Sequence, residues 1–242
     1  DAWGGSLENR ARIHLEIIKK CREEVGTDFA ISIKMNSADF QKGGFSPEDS
    51  IQVAKLFSDS GIDNIEISGG TYEQPRLLGL DKVSINPKRS ESRKESTVAR
   101  EAYFLSYAEE IAKVVNIPLM VTGGFRTKEG MEAALADGAC EIVGVGRPLC
   151  ANPYAIKELL AGQIDELPKY EKTLSIGPWW LLQASPFRLI QAINAFSAQA
   201  WFYQQIKKMG KGLMPDLNLK PWKAFREDAK ADQEAIKEYQ NF

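Results

Sequence analysis

The strongest constraint on the fold lies at residues 117–126, Ile-Pro-Leu-Met-Val-Thr-Gly-Gly-Phe-Arg, where a short apolar run breaks into a glycine pair and then a charge. An apolar run of this length bounded by Pro118 and Gly123-Gly124 predicts a buried parallel strand, and the helical spacing from Thr127 to Gly138 predicts the helix that follows it. The glycines therefore sit where strand hands over to helix. Such a loop exposes backbone N–H groups beside a helix start, and glycine removes the Cβ that would keep an anion away. The arrangement returns at once in Glu141-Ile142-Val143-Gly144-Val145-Gly146-Arg147-Pro148, with Asn152-Pro153 opening another helix. Two successive glycine-rich βα loops, each followed by an arginine, point to one phosphate pocket. In a (β/α)8 barrel the loops after the last two strands commonly hold phosphate.

The preceding chain repeats the same unit. Ser6 is placed to cap a helix that is amphipathic through Leu7, Ile13, Ile17, Ile18 and Cys21 and ends near Gly26. Phe29 to Asn36 reads as a strand that stays apolar until Lys34, and Ser46-Pro47-Glu48-Asp49 starts a helix that runs to Gly61. Asn64 to Ser68 is the next strand, closed by Gly69-Gly70. A long polar connection from Gln74 to Ser96 then precedes a helix from about Thr97 to Val115. Strict alternation of this kind predicts parallel strands, right-handed crossovers and an α/β fold. Four such units occupy residues 1–163, whereas a closed barrel needs eight and about 250 residues. The expected fold is the C-terminal half of a TIM (β/α)8 barrel, with residues 164–242 as a helical extension and the remaining strands expected upstream.

That extension differs in texture. Between Lys172 and Lys207 the only charge is Arg188, while Trp179, Trp180, Leu181, Phe187, Ile190, Ile193, Phe196, Trp201 and Phe202 supply apolar surface. It reads as helices packed on the barrel wall, or alternatively as a subunit contact or interfacial patch. Asp216 to Phe242 reads as a charged, solvated helix.

Composition excludes several classes. With 31 basic against 33 acidic residues the net charge is −2, which gives nucleic acid no basic footprint. No apolar run approaches the 18 or so residues of a membrane span, and nothing resembles a signal peptide. Cys21, Cys140 and Cys150 lack paired or cluster spacing and fit reduced thiols in a cytoplasmic protein. The single histidine, His14, lies mid-helix between Ile13 and Leu15, a packing or surface position.

Asp1-Ala2-Trp3-Gly4-Gly5-Ser6-Leu7-Glu8-Asn9-Arg10 resembles the D-x-[YW]-G-G-S-x-E-N-R segment of the old yellow enzyme family of FMN-dependent NAD(P)H oxidoreductases. The similarity continues through Ile33-Lys34, Glu66-Ile67-Ser68-Gly69-Gly70, Thr122-Gly123-Gly124-Phe125 and Gly146-Arg147-Pro148 with Asn152-Pro153. It covers residues 1–163 in order. The resemblance implies FMN as cofactor, NAD(P)H as hydride donor, and an activated alkene or similar electron-poor small molecule as acceptor. It implies that Lys34 lies beside the pyrimidine end of the flavin, where a cation stabilises the charge that gathers on reduction. Gly123, Gly124, Gly146 and Arg147 match the two phosphate-holding loops. Arg126 either reaches phosphate or makes a surface ion pair, and Tyr72 and Phe125 either shape the substrate pocket or pack.

The family's substrate-holding histidine pair and its tyrosine proton donor match no position here, so no catalytic residue is assigned within this chain and the donors are expected upstream. An isolated chain is then expected to be inactive, and to self-associate or require the missing half. Two rival readings remain: another phosphate-binding barrel in which Lys34 forms a Schiff base, and a non-catalytic half-barrel acting as a binding or assembly module.

Overall fold

A computed structural model describes residues 1–39, 43–69, 104–177, 185 and 187–240. They fall into two compact units, one holding the described residues up to Val145 and the other those from Gly146 onward. This division falls earlier than the expected boundary at 163/164, because the short helices after Gly146 group with the C-terminal helices.

The first unit is a four-stranded parallel sheet in the order β1 (Ser32–Asn36), β2 (Asn64–Ser68), β3 (Leu119–Thr122) and β4 (Ile142–Gly144). Its helices are α1 (Leu7–Val25), α2 (Pro47–Asp59), α3 (Leu105–Ala112) and α4 (Lys128–Ala136). Their starts are written in the sequence. Ser6, Ser46 and Thr127 each accept a hydrogen bond from the backbone N–H three residues on, and Pro47 occupies the first helical position of α2. Alternation along the strands turns Met35, Ile65, Ile67, Leu119 and Val121 toward Val53, Phe57, Ala108, Ile111 and Ala134 of the helical layer, where all are buried. Burying a side chain of that size is worth about 1.5–3 kcal/mol, so this layer supplies most of the unit's cohesion. The alternate positions are mostly polar, among them Ser32, Lys34, Asn64, Glu66 and Thr122, with Met120 and Ile142 in the same rows. Ser32 Oγ donates to Asn64 Oδ1 at 2.7 Å across the β1–β2 register.

Arg22, in the last turn of α1, ties the opposite end of the sheet together. Its guanidinium donates to the carbonyls of Gly26 and Phe29 at 2.7 Å and of Gly61 at 3.0 Å, and it pairs with Asp63 at 2.5 Å. The Ile31 N–H donates to the same carboxylate at 2.7 Å, and that bond, followed by the arginine, holds the Asp63 carboxyl below its ordinary range.

Two expectations need correction. β1 begins at Ser32 and not Phe29, whose ring is 62% exposed beyond the strand end. In α1 the buried stripe is Leu7, Ala11, Leu15 and Ile18, while Ile13 and Ile17 are 49% and 53% exposed and Cys21 is exposed. The helix carries two apolar stripes at i, i+4 spacing on different faces, and only one meets α2. The helix expected from Thr97 to Val115 is α3 from Leu105 to Ala112 among the described residues. The polar connection from Gln74 to Ser96 lies outside them.

The second unit comprises α5 (Arg147–Ala151), α6 (Ala155–Leu160), a 3-10 turn (Tyr170–Lys172), α7 (Arg188–Met209) and α8 (Pro221–Gln240). Its core gathers Ala151, Leu174, Ala198, Trp201, Phe202 and Ala224. Trp201 is fully buried and donates from Nε1 to the Leu219 carbonyl at 2.9 Å. One turn on, the buried Gln205 amide clamps the backbone of Asp216, donating to its carbonyl at 3.1 Å and accepting from its N–H at 2.7 Å. The apolar sequence of α7 thus packs into a helical core within this unit, although Phe196 remains 55% exposed. Trp179, Trp180 and Leu181 lie outside the described residues. Among the described residues no helix is long and apolar enough to cross a membrane.

Candidate functional site

In the first unit the candidate residues lie midway along β1 and β2 and in the loop after β3. Lys34 lies directly across from Glu66 in the β1–β2 register, and its Nζ sits 2.5 Å from Glu66 Oε1. The lysine side chain is 55% exposed and the glutamate 19%, so the carboxylate is the fixed member and the ammonium the accessible one. Strand position dictates this pair, since residues opposite in register on the same face approach side chain to side chain.

Beyond β3 the chain passes through two consecutive glycines in the left-handed region, Gly123 at φ 129° and Gly124 at φ 89°. A residue with a Cβ is strained there, and successive backbone N–H groups in a turn of this kind form an anion-binding concavity. That donor set suits a phosphate, so the loop fits the group the resemblance implies. Phe125 follows at 1% exposure and joins the core. Arg126 is 6% exposed and donates from Nη1 to the Phe125 carbonyl at 2.7 Å.

One participant was not singled out in the sequence. A Cβ added to Gly69, after β2, would lie 2.6 Å from the Phe104 ring and 3.0 Å from Ser37 Oγ, after β1; one added to Gly123 would lie 3.3 Å from the same ring. Phe104 is 3% exposed, so the ends of β2 and β3 both close on a ring that cannot retreat into solvent. Ser37 is fully buried, and its hydroxyl has no hydrogen-bond partner among the described residues. At the end of β4, a Cβ on Gly144 would fall 1.8 Å from Thr122 Oγ1, its register partner on β3, so only glycine allows the two strands to pair there.

In the second unit, Gly146 caps α5 and Arg147 is its first residue. A Cβ at Gly146 would meet nothing within 4 Å, so the backbone there borders open space. Arg147 Nη1 lies 3.9 Å from Glu171 Oε1, and the side chain is 32% exposed, which leaves guanidinium donors available to an anion. Tyr72 lies outside the described residues. His14 is exposed, with its ring 5.9 Å from that of Phe57. Cys140 is buried and Cys150 half-buried, and burial pushes both thiols above the usual range. Neither suits a thiolate role.

Parallel strands joined through helices that pack on the sheet are the architecture of a partial (β/α)8 barrel. Comparison with known proteins agrees. The family model described as the NADH:flavin oxidoreductase / NADH oxidase family matches residues 1–166, and the chain belongs to that family. It is 39% identical over 165 residues to the NADH-dependent flavin oxidoreductase iliE of Hypocrea jecorina (strain QM6a), covering 66% of this chain and 38% of that protein. Over 215 residues it is 33% identical to the NADH-dependent flavin oxidoreductase iccE of Talaromyces variabilis, covering 87% of this chain and 49% of that one. A solved complex of 2-naphthoyl-CoA reductase with 2-naphthoyl-CoA aligns with TM-score 0.56 and 31% identity over 69% of this chain and 24% of that protein. The chain thus spans less than half the length of these relatives. The sheet is that of a partial (β/α)8 barrel.

Proposed function

We propose that this chain supplies the FMN phosphate and ring contacts of an oxidoreductase that passes hydride from NAD(P)H to an activated alkene or similar electron-poor acceptor. The observation that carries the reading is the Gly123-Gly124 turn, two consecutive left-handed residues directly after a parallel strand, in a chain of the NADH:flavin oxidoreductase family. Bound FMN supplies the two-electron relay between nicotinamide and acceptor. The backbone of Gly123, Gly124 and Gly146 donates to the phosphate, and Arg147 pairs with it through the guanidinium fork. Arg126, buried behind the first loop, fixes that loop's backbone. Lys34 presents an accessible ammonium at the flavin's pyrimidine end and stabilises negative charge that develops there. The groups that hold the acceptor and donate its proton are read as belonging to other barrel strands. β1 and β4 are the edges of the described sheet, and strands from elsewhere in the polypeptide or from a partner complete the barrel in this proposal.

A Schiff-base role for Lys34 is less well supported. That chemistry needs an amine freed by an apolar or cationic setting, whereas Lys34 faces a carboxylate. Lys34→Met is expected to lower the FMN reduction potential by about 30 mV or more, the equivalent of a tenfold change in relative affinity for the two redox forms. FMN binding itself is expected to survive, because the phosphate contacts are untouched. Potentiometry of the flavin-loaded protein checks this. An unchanged potential, or covalent trapping of a carbonyl compound on Lys34 by borohydride, removes lysine from the flavin's side.

A further inference from the structure

We propose that Glu66 is a positioning residue: it holds the Lys34 ammonium at the flavin and offsets part of its charge, so that the pair, and not lysine alone, sets the flavin's potential. This rests on the reading of Lys34 given above. Lysine is a flexible point charge on a four-carbon stem, and a half-exposed ammonium has no defined position unless something holds it. Here the holder is a carboxylate on the neighbouring strand, directly opposite in register, 2.5 Å from Nζ and far less exposed than the lysine. Both side chains rise from hydrogen-bonded strands, whose backbones fix the separation. A negative charge in contact with the ammonium weakens the field that the lysine projects onto any group beyond it. The pair is therefore built to give a partly compensated cation of fixed position.

Charge offset and positioning predict opposite shifts, which makes them separable. Glu66→Gln keeps an oxygen that can accept from Nζ but removes the charge, so the bound FMN potential is expected to rise by about 30 mV, a tenfold gain in relative affinity for the reduced form. Glu66→Asp keeps the charge but withdraws it by one methylene, and the released lysine is expected to leave the potential lower than wild type. In a Lys34→Met background the Glu66→Gln shift is expected to shrink to less than half. Potentiometry of the FMN-loaded wild-type, single-variant and double-variant proteins decides it, independently of turnover. If Lys34→Met moves the potential but neither Glu66 variant does, the assignment of Glu66 fails and the flavin role of Lys34 stands. Equal Glu66→Gln shifts in both backgrounds also overturn it, because the carboxylate would then act on the flavin without the lysine. If Lys34→Met itself moves nothing, both readings fall.

Discussion

Trp201→Ala is expected to cost about 3–5 kcal/mol of stability, the range for deleting a large aromatic from a packed core. Trp201 is fully buried at the centre of the second unit, with its ring centroid 5.7 Å from Tyr170 and 5.2 Å from Phe202, the latter in an edge-on arrangement. Its indole N–H also satisfies the Leu219 carbonyl at 2.9 Å, so the substitution leaves both a cavity and an acceptor without its donor. Ala198, Ala200 and Ala224 in the same core are too small to fill the space. Trp201→Phe keeps most of the ring volume and loses only the donor, and is expected to cost about 1 kcal/mol for the hydrogen bond beyond a modest packing loss. Denaturant unfolding followed by circular dichroism measures both. A loss below about 1 kcal/mol for the alanine variant would show that the second unit does not depend on this core.

Arg147→Ala is expected to weaken FMN binding by about 1.5–3 kcal/mol, the range for a hydrogen bond to a charged partner, which is roughly ten- to a hundredfold in Kd. The guanidinium is partly exposed at the first position of α5, next to a glycine whose backbone borders open space, and its ion pair to Glu171 is long at 3.9 Å. Little therefore competes for its donors. Arg147→Lys keeps the charge but loses the planar fork, and an intermediate loss is expected. Fluorescence titration with FMN reads both variants.

Much of the fold was legible because it rests on local chemistry. β2 at Asn64–Ser68 stands where its alternation and the glycine after it placed it. Ser6, Ser46 and Thr127 cap their helices through side chains that have few better uses at those positions. What was not legible depends on register and on contacts between elements. Phe104 appears in the sequence as one more aromatic, and only the pairing of β2 with β3 brings Gly69 and Gly123 to its ring. The Lys34–Glu66 pair is invisible until β1 and β2 are aligned, though both residues interrupt apolar strands, which was the available signal. Ile13 and Ile17 misled for a related reason. Periodicity identifies an apolar stripe but does not say which of two stripes has a neighbour. At the site, the glycine loops were readable from composition and order, while the burial of Phe125 and Arg126 was not.

The central claim is that the glycine loops and Arg147 recognise a flavin through its phosphate, and the most direct measurement compares FMN with riboflavin, which differs only by lacking that group. Titration of the purified protein with each is expected to show FMN bound about a hundredfold tighter, close to 3 kcal/mol for a doubly charged group held by an arginine fork and backbone donors. In Arg147→Ala the gap is expected to narrow because FMN affinity falls while riboflavin affinity holds. Equal affinities for the two flavins, or a gap unchanged by Arg147→Ala, would contradict the account.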